Sequence, residues 1–131
     1  MRGPTLFAFA VMAGLLIVAS PMLAHHGQTN WDSGKTLKLA GTVTSFNWVN
    51  PHVSIEWAVK TSTGETEHWV AELTSPGNLQ REGWHHDSVK AGDEITITCH
   101  PAKNGQKFVS FQKLEFADGR RPLGAGQGET P

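Results

Sequence analysis

Apolar and polar residues alternate with a period of two along most of this chain, and the alternation resolves into five segments. Leu37, Leu39, Gly41 and Val43 alternate with Lys38, Ala40, Thr42 and Thr44, the pattern of a strand with one buried face. Past Ser45 the apolar phase slips by one, to Phe46 and Trp48. One extra residue in a β-bulge produces such a slip and bends the strand. Asn50-Pro51 closes the segment, because proline has no N–H for a ladder and restricts the residue before it. Val53, Ile55, Trp57 and Val59 give a second strand, Thr61 to Gly64 a hairpin turn, and Trp69, Ala71 and Leu73 a third strand.

The period then changes. Ser75-Pro76 reads as a helix N-cap followed by proline at the first helical position, and Gly83 as the residue just past its end. That leaves room for about two turns. A turn over Val89–Asp93 launches a fourth strand, Glu94 to His100, and Pro101–Gly105 forms a loop with an Asn-Gly signal. The fifth strand runs from Lys107 to Phe116, with a second phase change between Phe111 and Leu114. Five strands, one of them bent, with a short helix between the third and fourth predict an all-β fold, a small five-stranded OB-like barrel. Closure also removes the open edges that five short strands would otherwise leave. An open meander with a helix across one end is the competing arrangement.

The segments outside the barrel have different chemistry. Residues 1–24 combine Arg2, an apolar run from Leu6 to Ala19, a Ser20-Pro21 break and the small residue Ala24. This is the pattern of a secretory signal peptide, too short and wrongly flanked for a spanning helix. It predicts export, to a bacterial periplasm, with no stable membrane anchor after cleavage; an uncleaved N-terminal anchor is the alternative. Residues 25–35 are polar and without periodicity, an N-terminal arm, and residues 36–117 are the barrel domain. Residues 118–131 lack large apolar side chains apart from Leu123 and are expected to be a disordered tail.

Charge and cysteine content narrow the functions. Removal of residues 1–24 takes away Arg2 and leaves ten Lys/Arg against twelve Asp/Glu. With no basic cluster among them, nucleic-acid binding is excluded as a reading. The single cysteine, Cys99, shares the apolar face of Ile95 and Ile97, which predicts a buried, inert thiol and a fold without a disulfide. The chain shows no nucleophile motif, phosphate loop or paired-cysteine site, so no enzymatic activity is inferred.

Seven histidines are the most distinctive chemistry: His25, His26, His52, His68, His85, His86 and His100. None falls on an inward-facing strand position. Cleavage after Ala24 would leave His25-His26-Gly27 at the terminus, where amine and imidazole chelate one metal in the nitrogen-rich tetragonal geometry that suits Cu(II). Cleavage one residue earlier places His26 third from the free amine, also a square-planar chelate. His52, at the exit of the Asn-Pro-His corner, is the candidate for a further imidazole. The arm has the reach, since the stretch from His25 to Leu37 extends roughly 40 Å. A copper ion held by His25, His26 and His52 is therefore the first reading, and solvated histidines with no metal role are its alternative.

A second reading takes Trp48, Asn50, His68, Glu72 and Trp84 as a binding face for an unknown small organic ligand or a protein partner. His68 and Glu72 share the non-core face of the third strand, where a polar pair is the first expectation and the lining of a groove its alternative. Asn50 is expected to cap its own turn. Trp48, Trp57, Trp69 and Trp84 fit either a core or a stacking platform. His85-His86-Asp87 is a further ligand-rich stretch, read as a polar helix exit.

The motifs together are Ala24-His25-His26-Gly27, Gly41-Thr42-Val43, Trp48-Val49-Asn50-Pro51-His52, Trp69-Val70-Ala71-Glu72-Leu73 and Gly83-Trp84. In this combination the chain resembles a family of small exported bacterial domains of unknown function, from about Ala24 to the fifth strand. The resemblance implies no activity. It marks His25, His26, Asn50, Pro51, His52, Glu72 and Trp84 as positions to test, and His85-His86 as a departure from the family pattern.

Overall fold

The computed structural model describes residues 30–120 and 123–124. The leader, Ala24, His25 and His26 lie outside the described residues. The long first strand, β1 (Leu37–Asn47), organises the rest. Its first half pairs antiparallel with β4 (Glu94–Pro101), from Leu37↔Cys99 to Thr42↔Glu94. Its second half pairs antiparallel with β2 (Ser54–Lys60), from Thr42↔Ala58 to Asn47↔Ser54. The register steps from Val43↔Trp57 to Ser45↔Glu56, so Thr44 is the extra residue of a bulge. This is the bend that the phase slip predicts, and it lets one strand serve both sides of a barrel.

β3 (Thr66–Glu72) pairs antiparallel with β2, and β5 (Phe108–Phe116) pairs antiparallel with β4. A short parallel pairing of Val70–Glu72 with Phe108–Ser110 closes the barrel. In the β4–β5 ladder the register passes from Thr98↔Lys113 to Cys99↔Phe111, which leaves Gln112 extra. That second bulge accounts for the phase change before Leu114: Phe111 and Leu114 are both buried despite being three residues apart. The fold is the five-stranded OB-like barrel that the alternation predicts, with α1 (Pro76–Arg81) between β3 and β4.

The core is the inner face of the strands. Val53, Ile55, Trp57 and Val59 of the second segment, Ile95, Ile97 and Cys99 of β4, and Val109, Phe111, Leu114 and Phe116 of β5 are all buried. α1 begins as expected, with the Ser75 side chain accepting from the Asn78 N–H. It ends with Gly83 at φ +89°, a left-handed conformation that costs glycine least. The Gly83 N–H donates to the Gln80 carbonyl and the Trp84 N–H to the Leu79 carbonyl, the two bonds of a Schellman motif. The motif turns Trp84 back over Leu79, and both are fully buried. Among the described residues no helix is long and apolar enough to cross a membrane.

The structure differs from the sequence reading at both ends. Residues 30–35 of the expected arm are held against the β4–β5 connection. The Asp32 N–H donates to the Pro101 carbonyl at 2.9 Å, the Lys103 N–H donates to the Asn30 carbonyl at 3.0 Å, and Trp31 bridges to Ala102. At the other end, Arg120 reaches Asp93 and Asp118 at 2.8 and 2.7 Å and lies 4.0 Å over the Phe116 ring. β6 (Leu123–Gly124) then pairs with Lys113 and Leu114. The described part of the expected tail is ordered because β5 offers an edge that a single leucine can cover.

Candidate functional site

His52 sits where the β2–β3 ladder continues beyond its formal strand ends. The Val53 N–H donates to the Thr74 carbonyl at 3.1 Å, and the Leu73 N–H donates to the Val53 carbonyl at 2.8 Å. Val53 is buried, so strand alternation sends the His52 side chain outward, toward the end of β3. There the imidazole Nδ1 lies 2.9 Å from the Leu73 carbonyl and 3.7 Å from Glu72 Oε1. A carbonyl oxygen only accepts, so Nδ1 is the protonated nitrogen and donates to Leu73. In the neutral ring this leaves the lone pair on Nε2, the form in which histidine binds a metal with its other nitrogen held by a carbonyl or carboxylate. His52 remains 45% and Glu72 24% exposed at the side chain.

Glu72 belongs to a polar row that crosses the outer face of the barrel. Ser54, Glu72, Ser110 and His100 are successive register partners on β2, β3, β5 and β4. Ser54, Glu72 and Ser110 each sit between buried neighbours, and His100 follows the buried Cys99, so all four point away from the core. At the end of the row, the His100 Nδ1 meets the Lys35 carbonyl at 2.7 Å, the same donor geometry as His52. Asn47 extends the row on β1, donating to Ser54 Oγ at 3.2 Å and Glu56 Oε1 at 3.0 Å.

The other predicted residues are not gathered at this point. His68 is exposed opposite Ala58. It does not pair with Glu72: the two share a face but stand four residues apart, with Val70 between them, about 13 Å along the strand. Glu72 meets His52 instead. Asn50 is exposed, and among the described residues no side-chain hydrogen bond from it closes the turn; its peptide with Pro51 is cis. Trp84 is 0% exposed, which corrects its assignment to a binding face. It is part of a chain of rings, 5.5 Å from Phe111 and 6.4 Å from Phe46, whose outer end is Trp48, 5.7 Å from Phe46. Trp57 is also 0% exposed, so the tryptophans form core and margin, not one continuous platform.

His85, His86 and Asp87 are exposed on a turn in which Ser88 bonds back to His85. Among the described residues no three His, Cys, Asp or Glu side chains converge on one point. His52 and Glu72 are thus a two-residue constellation, and His25 and His26 are outside the described residues. Cys99 is buried, and burial pushes its thiol up to about 11, a poor thiolate donor.

Sequence reasoning missed the Leu73 carbonyl and the docking of Trp31. The signal for the first was the continued apolar alternation on both sides of the corner, Val53 and Leu73, which forces their flanking residues together. The signal for the second was weaker: an isolated tryptophan in an otherwise polar segment. Comparison with curated proteins finds none that matches the chain. A family model does match, over residues 12–110, a span that includes His25, His26, the Asn-Pro-His corner, Glu72 and Trp84. The chain belongs to that family, a family of unknown function designated DUF6152.

Proposed function

We propose that this protein is an exported copper-binding domain in which His52 and the mature N-terminal His25-His26 share one Cu(II) ion. The observation that carries the reading is the 2.9 Å bond from His52 Nδ1 to the Leu73 carbonyl, with Glu72 3.7 Å away. It selects the tautomer with its lone pair on Nε2 and supplies the carbonyl-and-carboxylate support that ligating imidazoles use. The barrel contributes one oriented imidazole, and the cleaved terminus contributes the amine and the remaining nitrogens. Nitrogen and carboxylate donors without an accessible thiolate favour Cu(II) over Cu(I). Export, to a bacterial periplasm, rests on the apolar run from Leu6 to Ala19 and the small residue at Ala24. The rival reading, a tryptophan platform for an organic ligand or protein partner, is weakened by the burial of Trp57 and Trp84.

The test is Cu(II) binding by the processed chain, followed by electron paramagnetic resonance and by competition titration. The expected result is one equivalent bound more tightly than by a free His-His-Gly peptide. His52→Ala should remove one nitrogen from the hyperfine pattern and return the affinity to that of the peptide. Peptide-like affinity in the unsubstituted protein, or an unchanged spectrum in His52→Ala, would refute the shared site.

A further inference from the structure

The loop between β4 and β5 carries a cleft that shares no residue with the His52–Glu72 pair. Phe108 precedes the buried Val109 at the start of β5, so its ring stands on the outer face of the barrel. Trp31 packs on it with ring centroids 5.1 Å apart and planes at 47°, and both rings lie outside the core and its margin. Beside them is a cleft of about 140 Å³ whose other walls include Lys103, Asn104 and Gln106. Backbone bonds hold those walls in place. The Ala102 N–H donates to the Phe108 carbonyl at 3.2 Å, the Gly105 N–H to the Ala102 carbonyl at 3.1 Å, and the Lys103 N–H to the Asn30 carbonyl at 3.0 Å. Asn104 Oδ1 accepts from the Gln106 N–H at 3.1 Å, which leaves the Asn104 NH2 group as a donor.

We propose that this cleft binds one acidic sugar residue, a hexuronate unit of a glycan, with its ring face on Trp31 and Phe108 and its carboxylate toward Lys103. The tilted aromatic rings offer an apolar surface to the C–H face of a pyranose. Primary amides present both donors and acceptors, as sugar hydroxyls do, and the Gln106 side-chain amide has no partner among the described residues. Charge selects the acid. No Asp or Glu lines the cleft, and among the described residues the Lys103 ammonium has no carboxylate partner. Its neighbours are committed: Lys35 pairs with Asp32 at 3.3 Å and Lys107 with Glu67 at 2.9 Å. One ammonium matches one carboxylate, whereas a nucleic-acid strand needs a run of cations along its backbone. The volume is below that of a drug-sized site, which restricts it to a single ring. OB-type barrels use the loop between β4 and β5 to bind oligosaccharides and oligonucleotides, and here the lining decides between the two.

The test is titration of the isotope-labelled processed chain with methyl β-D-glucuronide, followed through its amide and indole NMR resonances. Methyl β-D-glucoside and benzoate are the comparison probes. The glucuronide should shift the Trp31 indole N–H and the backbone resonances of Lys103 to Gln106 with a dissociation constant of about 1 mM. The neutral glucoside should bind the same place about threefold more weakly. Lys103→Met, at an exposed position, should erase that difference and leave the glucoside affinity unchanged. Trp31→Ala should weaken both sugars at least about fivefold. Equal binding of the two sugars, or a preference for the glucuronide that survives Lys103→Met, would overturn the recognition of an acid. Shifts with benzoate and with neither sugar would overturn the saccharide. Unmoved resonances at about 20 mM glucuronide would show that the two rings only close the outer face of the barrel.

Discussion

Gly41 is the position at which the barrel has least tolerance. A Cβ placed there would lie 2.8 Å from Cδ1 of Trp57 and still closer to the backbone carbonyl of Ala58. The carbonyl is part of the β1–β2 pairing, and Trp57 is fully buried against Trp69, so neither neighbour can simply rotate away. Gly41→Ala must therefore shift β1 away from β2 just ahead of the Thr44 bulge, where the two halves of β1 diverge. Overpacking of this kind typically costs about 1–3 kcal/mol, and a backbone contact belongs at the upper end of that range. For a domain of this size, about 2–3 kcal/mol lowers the melting temperature by roughly 10–20 °C. The assay is urea and thermal unfolding followed by tryptophan fluorescence and far-UV circular dichroism. Gly41→Ser should behave as Gly41→Ala does, since the Cβ is the offending atom. A change below about 0.5 kcal/mol, within the range of an ordinary surface substitution, would refute the close-approach argument.

Other outcomes follow from the same structure. Trp84→Ala should cost about 3–5 kcal/mol, because it empties a fully buried site and removes the apolar contact that completes the α1 C-terminus; chemical denaturation measures it. The Cys99 thiol should not react with a disulfide reagent near pH 8 until the protein is unfolded. Its stabilising contribution should be complete below its ordinary value of 9.0 and lost as pH rises through about 11, as an unfolding-versus-pH series would report. Hydrogen bonds from Lys107 and from the Trp69 indole hold the Glu67 carboxyl below the usual carboxylate value. Its contribution is present above that value and fades as pH falls through the folded-state one, so Lys107→Met should move the Glu67 resonance titration upward. Arg120→Ala should change thermal unfolding only slightly, since its ion pairs with Asp93 and Asp118 and its ring contact are all near the surface.

Most of the barrel is written in the chain because each strand buries one face and the parity of that face is visible. Both bulges are readable for the same reason. One extra residue, Thr44 in β1 or Gln112 in β5, moves the apolar set to the other parity, and the slip survives in the sequence even though the strand pairing is invisible there. The helix is legible from its two ends alone, Ser75-Pro76 and Gly83. β6 and the docked Trp31 are not legible, because each is a single apolar residue among Gly, Pro and polar neighbours, and each owes its place to an edge provided by another strand. Trp84 could have been placed in the core by a closer reading of the helix end. The residue after a left-handed glycine commonly packs on the helix residue three before the cap, here Leu79.

The candidate site shows where parity stops being sufficient. Alternation puts His68 and Glu72 on one face, yet sharing a face does not bring two residues of one strand together; adjacency comes from the neighbouring strand. Glu72 and His52 are twenty residues apart in sequence and meet only because Val53 lies against Leu73 in the continued β2–β3 ladder. The pin is thus the buried valine and not the proline corner that draws the eye. Asn50-Pro51 reverses the chain, but the two Val53 backbone bonds decide which carbonyl His52 meets. The corner therefore has a division of labour: Phe46 and Trp48 join the ring stack over Trp84, Val53 fixes register, and His52 is presented outward with its Nδ1 committed.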